Sequence, residues 1–217
     1  MTRTLAGVLA MSAIATASLD AQGFGVRLGG HGVYLSHQEI AEGRSASGLG
    51  FGGELRIQLS RIAIEGEGAM VSSLTPDSAG LAAFDLTYGD ARLSVLVARP
   101  FSIEVGAGGW TVEPAFAAQD VGYLKAGVLV ESPLTRLGDI ALRGAYLVPK
   151  FSGGGDAGFG FEVGVKTMIG TPNGRFRFGG GYEFKRFDRS ITAPGATEET
   201  DLPIQFTAAR FGLEIRF

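Results

Sequence analysis

The chain of 217 residues has no cysteine, two histidines and one tryptophan. The absence of cysteine excludes a disulfide framework and any thiolate metal centre. Charged residues make up 19%, below the ~25% of an ordinary soluble domain. The mean hydropathy is nevertheless +0.20, and no apolar run approaches the ~20 residues a helix needs to cross a bilayer. No basic patch suggests nucleic acid. No acidic stretch has the spacing of a calcium loop, no metal-ligand cluster is visible, and no cofactor is expected. Strings such as Gly48-Leu49-Gly50 and Gly158-Phe159-Gly160 precede no helical pattern, which excludes a dinucleotide turn. Glycine is abundant, with 35 residues, but lacks a three-residue period, so a collagen-like chain is excluded.

Arg3 precedes the apolar decapeptide Leu5–Ile14, and small residues follow at Ala15, Ala17 and Ala21. This is the pattern of a secretory signal peptide. Cleavage after Ala21 is expected, with Ala17 as the alternative. That divides the chain into a leader, 1–21, and one domain, 22–217.

Beyond the leader the hydrophobic period is two, the strand signal. Ten segments run through 24–34, 49–59, 62–70, 84–97, 101–109, 122–130, 140–148, 159–169, 176–184 and 209–217. In the fourth, Phe84, Leu86 and Tyr88 switch parity to Ala91, Leu93, Val95 and Val97, which predicts a β-bulge at Gly89-Asp90. No residue on the apolar parity is charged; apart from nine glycines and Thr167 every one is apolar. The opposite parity carries ten basic and ten acidic residues. Ten strands cannot enclose that much apolar volume in one small barrel, but a lipid-facing exterior accommodates it. The segments also match the ~9–11 residues of a tilted membrane-crossing strand.

The connections alternate in length. Residues 37–48, 73–82, 112–120, 149–157 and 189–202 form long gaps, and 60–61, 98–100, 132–138 and 170–174 form short ones. Pro100, Pro133, Pro149 and Pro172 fall in gaps, where a missing N–H breaks no ladder. The expected fold is all-β: a transmembrane up-and-down antiparallel β-barrel of ten strands, with eight as the alternative. The long connections would lie outside the cell and the short ones in the periplasm.

The last residues, Phe211-Gly212-Leu213-Glu214-Ile215-Arg216-Phe217, end an alternating strand on a terminal phenylalanine. With the leader and the strands, this resembles the small bacterial outer-membrane β-barrel superfamily, whose familiar members are the OmpA, OmpX and OmpW barrels, with a porin-like alternation. The resemblance implies location in the outer membrane of a Gram-negative cell. It also implies insertion by the barrel-assembly machinery, with Phe211, Leu213, Ile215 and Phe217 as the assembly signal. It says little about function.

Aromatic girdles are expected from Phe24, Phe101, Phe176 and Phe217 at the periplasmic ends. Tyr34, Phe51, Phe84, Tyr146, Phe159 and Tyr182 would form the other girdle, and Trp110 would pack inside near the rim. The lumen should hold a charge network: Arg27, Glu54, Arg56, Glu65, Glu67, Asp90, Arg92, Glu104, Lys125, Arg143, Glu162, Lys166, Arg177, Glu183, Lys185, Arg210 and Glu214. Asp85, Glu131 and Arg216 share its parity. Unpaired buried charge is very costly, so ion pairs filling the lumen are expected, with lumen glycines leaving room for the long side chains.

A role in envelope integrity or surface contact follows, with a narrow passive channel for small solutes or ions as the alternative. Partners are the membrane lipid and the assembly machinery; any surface partner is open. No catalytic residue is expected. Adjacent Ser36 and His37 point to opposite faces. The Asp-x-His pair of surface-protease barrels and the His-x-Ser of lipid A deacylases are both missing. His31 is expected to be a hydrogen-bonded lumen residue and His37 to begin the first loop.

Overall fold

The computed structural model describes residues 24–40, 43–77, 82–113, 120–135, 138–151, 156–170, 174–192 and 199–217. The leader lies outside the described residues. The strands are β1 (Phe24–Glu39), β2 (Arg44–Leu59), β3 (Ile62–Pro76), β4 (Phe84–Ala98), β5 (Phe101–Glu113), β6 (Val121–Thr135), β7 (Gly138–Phe151), β8 (Asp156–Ile169), β9 (Phe176–Thr192), β10 (Glu199–Asp201) and β11 (Ile204–Arg216). Each pairs antiparallel with its sequence neighbour, except that β10 and β11 both pair β9 and are two parts of one barrel strand. Pro203, which lacks an N–H for the ladder, lies in the break between them. β11 also pairs β1, with Arg27 opposite Arg216 and Tyr34 opposite Ala209. The ring therefore closes with ten strands and no free edge. In hydrocarbon that closure is required, because every backbone N–H and C=O must be paired internally.

The outward face carries an apolar belt. On β1 it runs from Phe24 to Tyr34, on β2 from Leu49 to Leu59, and on β11 from Ala209 to Phe217. Ten residue rises along a strand tilted by ~40° give ~25 Å of height, the thickness of the apolar band on such barrels. Phe51 and Phe211 are 71% and 72% exposed. A soluble protein would not leave such side chains in water, since each would contribute about 1.5–3 kcal/mol if buried. Of the expected girdle aromatics all except Phe84 face outward and are exposed. Phe211, Leu213, Ile215 and Phe217 also lie on this outward face.

The strands do not stop where the belt stops. On the side of the longer connections they continue for several residues, so the connecting segments there shrink to four to seven residues. At the opposite end the turn at 60–61 has the two residues expected, the one at 98–100 shrinks to 99–100, and only two residues separate β6 from β7. The expected gaps at 37–48 and 132–138 are thus largely strand. Two prolines expected in gaps lie inside strands for a simple reason. β7 has lost its β8 partner beyond Leu147, so Pro149 needs no donor on that side. β6 has lost β5 beyond Val130, and Pro133 is free in the same way.

Polarity inverts in the extended part. The outward positions become Ser36, Gln38, Ser45, Ser47, Ser72, Thr87, Thr111, Arg186, Asp188, Gln205 and Thr207. The inward positions become Val33, Leu35, Val71, Leu74, Phe84, Leu86, Tyr88, Trp110, Val112, Phe187, Ile204 and Phe206, all buried in one cluster. This overturns the β-bulge expected at Gly89-Asp90. β4 alternates without interruption from Phe84 to Ser94, and its register is continuous past Gly89 with both neighbours. The apolar parity switches because the solvent outside switches from lipid to water. Phe84 is 7% exposed inside the barrel, and Asp85 faces outward, accepting a hydrogen bond from the Ser73 N–H at 2.8 Å. The bulge in this region is on β3, between Val71 and Leu74.

Candidate functional site: the barrel interior

The inward face stacks three layers along the barrel axis. The first is the apolar plug at the loop side. Trp110 stacks on Phe206 with ring centroids 5.1 Å apart and planes 13° apart. Phe187 meets Trp110 edge-on at 5.1 Å, and Tyr88 meets Phe206 edge-on at 5.2 Å. Such pairs add about 0.5–1.5 kcal/mol each beyond their area. His37 is inside this plug rather than in a loop. It is 3% exposed and edge-on to both Phe84 and Trp110 at 6.2 Å. Burial alone moves its pKa down to about 4, so the ring is neutral at pH 7.

The second layer is a cluster of buried charges. Arg92 lies at the middle, with Glu65 at 3.0 Å, Glu162 at 3.3 Å, Asp90 at 3.4 Å, Glu67 at 3.5 Å and Glu183 at 3.8 Å. Lys125 bridges Asp90 at 2.6 Å and Glu162 at 3.0 Å. Lys185 pairs with Glu183 and lies 3.4 Å from Asp90. Arg210 joins Glu183 at 2.6 Å and Glu67 at 2.7 Å. Tyr123 donates its hydroxyl to Asp90 at 2.8 Å, and Arg210 Nε donates to the Tyr88 hydroxyl at 3.1 Å. Lys185 Nζ lies 5.5 Å from the Tyr123 and Phe206 rings, joining the cluster to the plug. The carboxylates of Asp90, Glu162 and Glu183 lie close enough together to suggest a cation site, but two ammonium groups and a guanidinium already occupy their lone pairs.

The third layer lines a cavity of about 740 Å³ that reaches the turns at Arg99-Pro100 and Ser132-Pro133. Arg143 binds Glu104 at 2.7 Å and Glu65 at 3.1 Å. Ser94 donates to Glu104 at 2.8 Å. Arg56 makes a two-pronged pair with Glu131, both contacts at 2.8 Å. Lys166 pairs with Glu54 and approaches Glu214 at 3.9 Å. Arg177 binds Asp139 at 2.6 Å and approaches Glu214 at 3.8 Å. Arg27 is also on this wall and makes no contact ion pair among the described residues, with Glu214 and Glu131 acting on it from farther away.

Two members of this layer lie outside the seventeen-residue candidate set. Glu131 has the lumen parity that would include it, while Asp139 lies at the start of β7 in what reads as a turn. Three strands, β3 to β5, lie between Arg56 and Glu131 around the ring, and only closure brings them together. His31 differs from expectation too. Its Nε2 is buried with no hydrogen-bond partner among the described residues. Its cross-strand neighbours on both sides are glycines, Gly52 and Gly212. A Cβ on Gly52 would come within 2.6 Å of the His31 Nε2, and one on Gly212 within 2.2 Å of the Gly30 carbonyl oxygen and 2.6 Å of the His31 Cβ, so the ring has its place only because Gly52 lacks one.

No family model matches the chain, and no curated protein matches it. Among solved structures it is similar to Neisserial surface protein A (NspA) at 12% identity, covering 88% of this chain and 97% of that one, with a TM-score of 0.42. It is similar to the outer membrane protease OmpT from Escherichia coli at 12% identity, covering 94% and 99%, with a TM-score of 0.49. It is similar to an anion-selective porin from Comamonas acidovorans at 12% identity, covering 85% and 59%, with a TM-score of 0.35. The chain's own geometry decides the class. A closed ring of ten antiparallel strands, apolar outside over one bilayer thickness and charged within, is the architecture of the bacterial outer-membrane β-barrels.

Proposed function

We propose that the protein is a sealed, non-catalytic barrel of the outer membrane that serves envelope integrity or surface contact, with its turns in the periplasm. The observation that carries this reading is the apolar plug over the buried charge cluster. An ion moving along the axis meets Trp110, Phe187 and Phe206 packed against one another, and hydrophobic constrictions exclude ions by dewetting. Below them the charges are engaged with one another rather than lining open water. Insertion would use the barrel-assembly machinery acting on the last strand, and the polar collar above the belt is the surface available to an extracellular partner.

The test is single-channel recording on refolded protein in planar bilayers. A silent membrane, with a heat-modifiable gel shift proving that the barrel has inserted, is the expected outcome. Stable conductance steps would overturn the sealed reading in favour of a passive channel. Release by carbonate washing without a gel shift would overturn the membrane reading itself.

A further inference from the structure

We propose that the turn-side cavity holds a binding site for a soluble phosphate-type oxyanion, built on Arg27 and Arg56, which line it, beside a third arginine, Arg216. The three lie on adjacent strands at one height: Arg27 is directly opposite Arg216 on β11 and directly opposite Arg56 on β2. Directly opposed side chains in an antiparallel pair have Cβ atoms ~4.5–5.5 Å apart, and like charges placed so are destabilising. The lumen has a second row of opposed like charges, Glu54, Glu67 and Asp90, but each of those holds a cation in contact, which the middle arginine of this row does not match with an anion.

The outer two members have carboxylates. Arg56 holds Glu131, and Arg216 has Glu214 at 3.4 Å and Asp139 at 3.7 Å. The middle one, Arg27, lines the cavity and makes no hydrogen bond or contact ion pair among the described residues; Glu214 and Glu131 attract it only from a distance. A second donor is also unused: Arg56 Nε is buried with no acceptor, while both of its terminal nitrogens hold Glu131. Buried donors almost always have an acceptor, and the five N–H groups of a guanidinium match the oxygens of phosphate best. On the turn side of Arg27 the next inward position is Gly25, where a Cβ would meet nothing within 4 Å. There is open volume beside the unpaired guanidinium. The closed wall separates this volume from lipid, so the anion enters from water at the turn end. The cavity of about 740 Å³ falls in the range of small-molecule sites.

The site stands independently of whether the barrel conducts. Its test is thermal unfolding of detergent-refolded protein titrated with inorganic pyrophosphate, against sodium chloride at equal ionic strength. The wild type should gain stability with pyrophosphate and not with chloride. Arg27→Gln should weaken the apparent affinity by at least about tenfold, the loss expected for a charge-assisted hydrogen bond. In the absence of the anion it should be no less stable than wild type, because it removes the like-charge contact. Arg27→Lys, which keeps the charge but loses the fork, should fall between. Arg44→Gln, on the loop side, should respond as wild type. A pyrophosphate response unchanged in Arg27→Gln, or a wild-type response reproduced by chloride, would overturn the proposal.

Discussion

The two halves of this barrel share the same strands and the same strict alternation, yet they are built inside out relative to each other. In the turn-side half Val128 and Phe178 face outward, and Arg92 and Glu162 face inward. In the loop-side half Thr207 and Asp188 face outward, and Phe206 and Phe187 face inward. The backbone does not change between them; the medium outside does. Lipid removes any hydrophobic gain from burying apolar side chains inside, so the interior is free to be polar provided every charge is paired. Water restores that gain, and the interior becomes an apolar core of the ordinary kind. The stability of one half should therefore depend on charge compensation and that of the other on packing.

Removing the central cation should have the largest effect. Arg92→Met leaves Asp90, Glu65, Glu67, Glu162 and Glu183 short of one positive charge in a site where Arg92 is 2% exposed. Breaking a buried pair from one side typically costs about 3–5 kcal/mol, and with five carboxylates around it the upper end is expected. Urea unfolding in lipid vesicles measures it. A loss below 1 kcal/mol would mean that the carboxylates take up protons without cost, and the contrast between the halves would fail.

The corresponding packing test in the other half is Phe206→Ala. Phe206 is fully buried between Trp110 and Tyr88, and large-to-small substitutions of aromatic core residues cost about 3–5 kcal/mol. A loss within that range is expected, because Lys185 beside the ring is held by Glu183 and Asp90 and does not move to fill the gap. The loss should be insensitive to salt and pH, unlike that of Arg92→Met.

Most of the turn-side half is legible in the sequence, because lipid admits no exception on the outward face: ten alternating segments, their belt and the parity of the charges all follow from that one demand. The loop-side half is not, because two inversions cancel there. On β4, Phe84, Leu86 and Tyr88 read as a parity switch, and a reader who holds the medium constant must invent a bulge to explain it. Gln38, Ser45 and Ser47 read as loop because they are polar on a face assumed to meet lipid. Within the site, which residues are charged and inward is legible, but who pairs with whom is not. Arg56 and Glu131 are 75 residues apart in sequence, and their meeting depends on how far each strand slides against the next on closing the ring. The solitude of Arg27 is invisible for the same reason.

An outward charge separates the halves from the other side. Val128→Arg places a cation in the belt, which costs about 2–4 kcal/mol near the bilayer midplane. Thr111→Arg places the same side chain on the same kind of outward strand position above the belt, where the cost should be within about 0.5 kcal/mol, as for a water-exposed surface site. Comparable losses in vesicle unfolding would mean that the belt extends over both positions.

The smallest effect is a pH dependence confined to the loop-side plug. His37 lies above the belt, against Phe84 and Trp110, and burial holds its pKa at about 4 against the ~6.5 of an exposed histidine. The unfolded chain therefore takes up a proton that the folded barrel refuses. Stability from this residue is full above pH ~6.5, falls as the pH drops, and levels off once the folded ring also protonates near pH 4. By pH 5 the loss should reach about 2 kcal/mol. His37→Phe keeps an aromatic ring between Phe84 and Trp110 and removes the proton site, so the difference between the two proteins should grow from pH 7 to pH 5 and then flatten. Carboxylates of the charge cluster titrate in both proteins and cancel in the difference. A difference that stays constant across that interval would place His37 in contact with water, and the plug would then not be dry.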